Sequence, residues 1–282
     1  VNDSETKSKI RAVWESAAPG WAKWESTLSE ALEGATLDLL DTASVRRGYR
    51  VLDVASGAGA QTLLAARRVG EEGSVVASDI SATMLEHVRK NAEALNITNI
   101  ELAEGTAEDV AADKGPFDAA ICRLGLMLFP DPVSSVRAIC TALNPGARFG
   151  ALVVSTPDEN PFFSKSMGIL LRHAGKQPPA TGQPGLFALS QPGALEGVLS
   201  RGGLEDVKAN KVRASFVMPN ATAALEMMRE AFGAYRAVVA DVDDAAKGAA
   251  WSEVLDFLSS FEGDHGLSAE FVIINGSGAR PE

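Results

Sequence analysis

Between Tyr49 and Val154 the chain alternates apolar, β-branched runs with stretches of helical spacing. Tyr49-Arg50-Val51-Leu52-Asp53-Val54 predicts a strand that runs into a glycine-rich turn, followed by a helix over 62–69 and a second strand over 73–78. Ser81 is a suitable N-cap for the next helix, in which Met84, Leu85, Val88, Ala92 and Leu95 share one face. Short apolar runs near 99–103 and 116–122 predict two more strands. Asp131-Pro132 predicts a helix start, and Asn144-Pro145-Gly146 a turn into a strand over 148–154. Near-continuous apolar strands separated by helices mean a parallel sheet covered on both faces, an α/β architecture.

Beyond Ser155 the pattern loosens. Six prolines fall between Pro157 and Pro192, around a helical piece at 162–173. Regular patterning returns as a helix near 193–201, a strand near 207–217, a helical stretch over 221–261 and a last strand at 269–274. The expected organisation is a single domain over 1–282. Residues 1–34 form a helical lid segment in it, and residues 157–192 and 219–266 are insertions over the substrate site. Residues 1–20 and 175–186 are expected to be its mobile parts, since loops over a rigid sheet end are where gating concentrates.

Composition narrows the function classes. Lys+Arg 26 against Asp+Glu 37 gives a net charge of −11, the wrong sign for a protein whose main partner is nucleic acid. The chain offers no run of 18 apolar residues for a membrane span, and residues 1–11 are too polar for a secretory signal. The two cysteines, Cys122 and Cys140, provide neither a disulfide framework nor a zinc cluster, so a reducing, cytoplasmic setting is expected, with no metal. Oligomeric state stays open.

The chemistry concentrates in Asp53-Val54-Ala55-Ser56-Gly57-Ala58-Gly59. Here a strand feeds a glycine turn and then a helix, so backbone can approach a ligand at the helix's positive end. Twenty residues past Gly59, at the end of the second strand, stands Asp79, placed to accept hydrogen bonds from the hydroxyls of a ribose. Thr62 occupies the place of the third glycine of the dinucleotide fingerprint, which disfavours a nicotinamide-dependent oxidoreductase.

Five motifs in order, Asp53-x-x-x-Gly57-x-Gly59, Asp79, Gly105-Thr106-Ala107-Glu108-Asp109, Phe117-Asp118-Ala119-Ala120 and Leu143-Asn144-Pro145-Gly146, resemble class I S-adenosylmethionine-dependent methyltransferases. Within these the chain is most similar to the branch of ubiquinone/menaquinone-biosynthesis and other small-molecule methyltransferases. The resemblance implies a doubly wound, seven-stranded, mostly parallel sheet of order 3-2-1-4-5-7-6, with the last strand antiparallel. It implies S-adenosylmethionine as cofactor and S-adenosylhomocysteine as product. By the same resemblance Ala55, Gly57 and Gly59 line the methionine end, and Asp53 orders the turn and contacts the amino-acid part. Asp79 takes the ribose, and Ile80 and Met84 pack on the adenine. Thr106, Ala107 and Glu108 stand at the adenine edge, with Thr106 where the family often has Asp. Arg123 lies where cofactor and acceptor meet.

Several residues admit two readings. Arg123 serves the site or pairs with the N-terminal segment. Trp14, Trp21 and Trp24 either pack an N-terminal helix or cap the sulfonium. His173 is either a catalytic base or a histidine favoured at a helix C-terminus. Phe162, Phe163, Met167, Leu170, Phe187, Met227, Met228, Phe232 and Tyr235 either form core or line an apolar pocket. The expected acceptor is a small apolar or aromatic molecule, quinone-like or a secondary metabolite, methylated at carbon or oxygen. The alternative is a fold of this type that binds the cofactor without transferring the methyl group.

Overall fold

A computed structural model describes residues 3–178 and 183–282. The segments expected to be mobile extend beyond them: residues 1–2 and 179–182 lie outside the described residues.

The sheet follows the expected path. β1 (Arg50–Val54), β2 (Ser74–Asp79), β3 (Ile100–Glu104), β4 (Phe117–Arg123), β5 (Leu143–Val154), β6 (Glu205–Met218), β7 (Glu262–Gly263) and β8 (Gly266–Ala279) are ordered β3-β2-β1-β4-β5-β8-β6, and β7 pairs with β8 off this path. The pairs from β3 to β5 are parallel, whereas β8 runs antiparallel to β5, with Val154 opposite Ile273. Val51, Leu52, Val75, Val76, Ala119, Ala120 and Ile121 are fully buried, as central strands covered on both faces require. The sheet thus has eight strands instead of seven, the extra one being the two-residue β7.

The helices are α1 (Asp3–Lys23), α2 (Glu25–Thr42), α3 (Ala60–Val69), α4 (Ala82–Ala94), α5 (Ala107–Lys114), α6 (Pro132–Ala142), α7 (Pro161–His173), α8 (Ala194–Arg201), α9 (Ala221–Ala231), α10 (Gly233–Val238) and α11 (Asp244–Ser259). The stretch 221–261, read from the sequence as a helical stretch, holds three helices with breaks at Phe232 and around 239–243. α5 was not apparent from apolar spacing, although Thr106 is its N-cap and accepts from the Asp109 amide.

The chain forms two compact units. One holds Glu33–Ser155, Gly182–Val212 and Ile273–Glu282, and therefore the β1–β5 sheet with its flanking helices. The other gathers Val1–Leu32, Thr156–Thr181 and Arg213–Val272, and has an aromatic core of its own. Within it Phe216 stacks on Phe271 at 4.7 Å between ring centroids, and Phe162 meets Phe163 edge-on at 5.3 Å. The buried Asn160 side chain clasps Val272 on both sides, donating to its carbonyl at 3.1 Å and accepting from its amide at 2.9 Å. Tyr235 donates its hydroxyl to the Phe163 carbonyl. Phe162, Phe163, Leu170, Met227, Met228 and Tyr235 are thus buried in this core, whereas Met167 and Phe232 are half-buried.

In this unit α1 crosses α9 at Gly20, where an added Cβ would lie 1.9 Å from the Glu230 carbonyl oxygen. Beside this crossing Glu230 accepts from Lys23 and from the Trp24 indole, and those two contacts hold its carboxyl below the ordinary range. Backbone cannot yield as a side-chain tip can. Gly20→Ala is therefore expected to lower the stability of this unit by about 1–3 kcal/mol, read as a lower unfolding midpoint by tryptophan fluorescence.

Candidate active site

The turn between β1 and α3 is built around a buried carboxyl group. Asp53, fully buried near the end of β1, accepts from the Thr62 hydroxyl at 2.5 Å and from Gln61 Nε2 at 3.3 Å, both in the first turn of α3. Gln61 Nε2 also reaches the Ser56 carbonyl at 2.9 Å. Between these anchors the backbone passes through left-handed conformations at Ala55 (φ 55), Gly57 (φ 55) and Gly59 (φ 99). Glycine adopts such angles freely, whereas at Ala55 they carry strain, a feature that clusters at functional sites. A Cβ at Gly57 would meet nothing within 4 Å, so this face of the loop is open, while one at Gly59 would press on Val88 of α4.

Burial is the largest influence on Asp53 and pushes its carboxyl from 3.8 up to about 7, against the lowering by Thr62, Gln61 and Arg123. It also drives the neighbouring Cys122 thiol up to about 12, which makes that cysteine inert.

Asp79 closes the other side of the turn. Its Oδ2 accepts from the Gly57 amide at 3.0 Å and its Oδ1 from the Ser81 amide at 2.9 Å, so one carboxylate ties the glycine turn to the start of α4. Asn91 of α4 adds a bond to the Ala58 carbonyl at 3.1 Å. Met84 is buried on the same helix and Ile80 is half-buried just before it.

At the end of β4, Leu124 also has a positive φ of 62, and Gly125 lies so close to the β1 turn that a Cβ there would be 2.6 Å from Ala55 Cβ. Arg123 donates to the Thr36 hydroxyl of α2 at 3.3 Å and bears electrostatically on Asp53.

The adenine-edge candidates are less directly placed. Thr106 spends its hydroxyl on Asp109, and Glu108 accepts from Ser135; Ala107 is buried. His173 ends α7 in the helical unit, where its Nε2 lies 2.8 Å from Glu253 Oε2, and Arg172 pairs with the same carboxylate. Those contacts hold Glu253 below the ordinary carboxylate range. Sequence reasoning missed Ser56, Gln61 and Asn91. A polar residue two places after the last glycine reads as the exposed start of a helix, yet Gln61 is 1% exposed.

Comparison with known proteins decides what this geometry belongs to. A family model described as a methyltransferase domain matches residues 46–177. Residues 46–177 are thus similar to a methyltransferase domain, as the resemblance of their motifs to class I S-adenosylmethionine-dependent methyltransferases implies. Over 119 residues (42% of the chain) it is 36% identical to a ubiquinone/menaquinone biosynthesis C-methyltransferase of Idiomarina loihiensis, covering 47% of that protein. Over 157 residues (55% of the chain) it is 28% identical to a demethylmenaquinone methyltransferase of Listeria welshimeri, covering 66% of it. The matches thus span between about half and two thirds of these relatives' own lengths. The fold resembles the YcgJ protein of Bacillus subtilis, with a TM-score of 0.57 at 19% identity over 89% of this chain and 99% of that one.

The residues of the methyltransferase domain fit the cofactor of this class. The open glycine turn lies at the positive end of α3, Asp79 stands beside it, and Ser56 Oγ and Gln61 Oε1 are buried without a hydrogen-bond partner among the described residues. Among the described residues no helix is long and apolar enough to cross a membrane, and no group of His, Cys, Asp and Glu is arranged to hold a metal ion.

The raised Asp53 value fixes a pH dependence. A carboxyl that titrates higher in the fold than in the unfolded chain contributes its stability fully below about pH 4 and loses it as pH rises towards 7. Denaturant unfolding at stepped pH should show this decline, up to about 4 kcal/mol across the window, and Asp53→Asn should flatten it.

Proposed function

We propose that the chain transfers the methyl group of S-adenosylmethionine to a carbon or oxygen of a small apolar or aromatic acceptor, of the quinone or phenol class. The observation that carries this reading is the pairing of the open glycine turn with Asp79, in a domain similar to two quinone-pathway methyltransferases. The cofactor supplies a methyl group already activated by its positively charged sulfur. The tasks left to the protein are alignment and the exclusion of water.

Asp79 is acceptor-only when ionised and has about four lone-pair sites, so besides the Gly57 and Ser81 amides it has the chemistry to take ribose hydroxyls. Ile80 and Met84 supply apolar surface for a base, with Thr106, Ala107 and Glu108 at its edge. Ala55, Gly57 and Gly59 let the backbone approach the amino-acid end, and Arg123 stands at the end of β4 towards the acceptor.

The reading extends to the rest of the chain. Residues 1–282 act as one enzyme, and segments 1–34, 157–192 and 219–266 serve as the lid that confers acceptor choice. Support comes from the gathering of most of these residues, 1–32, 157–181 and 219–266, into one unit, where Trp21 lies 6.5 Å from Trp14 and 6.1 Å from Phe232. The two free, buried cysteines suit a reducing, cytoplasmic setting, and a charge of −11 suits a small molecule over nucleic acid as acceptor.

Where the acceptor must lose a proton, His173 is the base. An ionised Glu253 facing Nε2 keeps the proton on that nitrogen, which in the neutral ring leaves the Nδ1 lone pair available. His173→Asn should then lower kcat by about 100-fold for an acceptor that must lose a proton. Unchanged kcat would reduce the histidine to a helix-end ion pair.

The cofactor reading is tested by calorimetry. S-adenosylhomocysteine should bind the protein, and Asp79→Ala should weaken it by about 100-fold or more, while NAD should not bind. A screen of phenols, quinones and carboxylic acids for release of S-adenosylhomocysteine then tests transfer. Binding without turnover on any of them would favour a cofactor-binding fold that moves no methyl group.

A further inference from the structure

Gln61 is an unexpected residue to find buried. It lies in the first turn of α3 at 1% exposure, and its two ends differ sharply. The Nε2 end faces three acceptors: Asp53 Oδ1 at 3.3 Å, the Ala55 carbonyl at 3.5 Å and the Ser56 carbonyl at 2.9 Å. The Oε1 end is buried with no donor among the described residues. Rotating the amide by half a turn would set its oxygen against those three oxygens, so its orientation is fixed by the acceptors. The result is a held carbonyl oxygen at the glycine turn, desolvated and without a donor. Ser56 Oγ, five residues earlier in the same turn, is likewise buried and without a partner. Unpaired buried polar atoms are uncommon in folded proteins, and two beside one ligand turn point to a ligand group.

We infer that Gln61 is a cofactor-recognising residue whose Oε1 accepts a hydrogen bond from the α-ammonium group of S-adenosylmethionine. The chemistry of the atom selects the group. An amide oxygen only accepts, so the cofactor's carboxylate cannot satisfy it, and the donor must be an N–H or O–H. Of the cofactor's donors, the ribose hydroxyls are matched by Asp79 and the adenine amino group belongs at the Ile80–Met84 side. The ammonium remains, at the methionine end where the glycine turn opens. Ser56 Oγ, able to donate or accept, is suited to the same amino-acid end. The inference rests on the cofactor reading and adds to it a residue-level preference for the amino group.

The test compares two ligands by calorimetry at neutral pH: S-adenosylhomocysteine, and its analogue with a 4-thiobutyrate in place of homocysteine, which lacks only the amino group. The wild-type protein should bind the first about 10- to 100-fold more tightly, as a charge-assisted hydrogen bond to a buried acceptor implies. Gln61→Met should remove that preference by weakening the first ligand more than the second. Gln61→Leu, which also lacks an acceptor oxygen, should remove the preference in the same way and provides the test if the methionine variant does not fold. Equal wild-type affinity for the two ligands would overturn the inference while leaving the cofactor reading intact. So would equal weakening of both by Gln61→Met, since that marks a purely structural side chain. Failure of S-adenosylhomocysteine to bind the wild-type protein would overturn the cofactor reading and the inference with it.

Discussion

Removing a carboxyl group from water is costly unless the fold supplies hydrogen bonds in return, and the turn between β1 and α3 is organised around one such group. Asp53 is fully buried, and its bonds to Thr62 and Gln61 pull the first turn of α3 against the end of β1. That attachment forces the intervening residues into a tight path with positive φ at Ala55, Gly57 and Gly59. Asp79 then fixes the outer face of the same turn through the Gly57 amide and, through Ser81, the start of α4. Two buried carboxyl groups thus shape a backbone surface at the positive end of a helix. The close approach of Gly125 to Ala55 brings the end of β4 to the same place. The candidate site follows from these constraints more than from any single reactive side chain.

The glycine turn and Asp79 were legible in the sequence because their signal is local: a strand, glycines at fixed spacing, then an acid one β–α–β step later. The strand order was legible through the family resemblance those motifs carry. Other features depend on tertiary packing. β8 extends to Ala279, past the apolar run at 269–274, because Gly276 and Gly278 continue the strand where a side chain would collide with Leu195 and Leu204. In sequence those glycines read as a strand end. In the same way Gln61 reads as a polar helix start, and only the fold shows it turned inward to Asp53.

The aromatic residues of the second half illustrate a different limit. Phe162, Phe163 and Tyr235 suggested a pocket lining, a reading that composition cannot distinguish from core. In the structure they meet one another and Phe216, Phe261 and Phe271 inside the helical unit. Such a unit needs a core to be stable, and its aromatic content serves that need first. Phe232 and Met167 are left half-buried by this packing. Likewise, the Thr106 hydroxyl is engaged as the N-cap of α5, a role visible in sequence only as a threonine three residues before an aspartate.

The proposed cofactor cradle is the β1–α3 turn with the end of β2. An amide NMR titration of the isotopically labelled protein with S-adenosylhomocysteine tests it. The largest shifts are expected on the amides of Gly57, Gly59 and Ser81, saturating together. Saturating shifts confined to other parts of the chain, or shifts at these amides with NAD and none with S-adenosylhomocysteine, would contradict it.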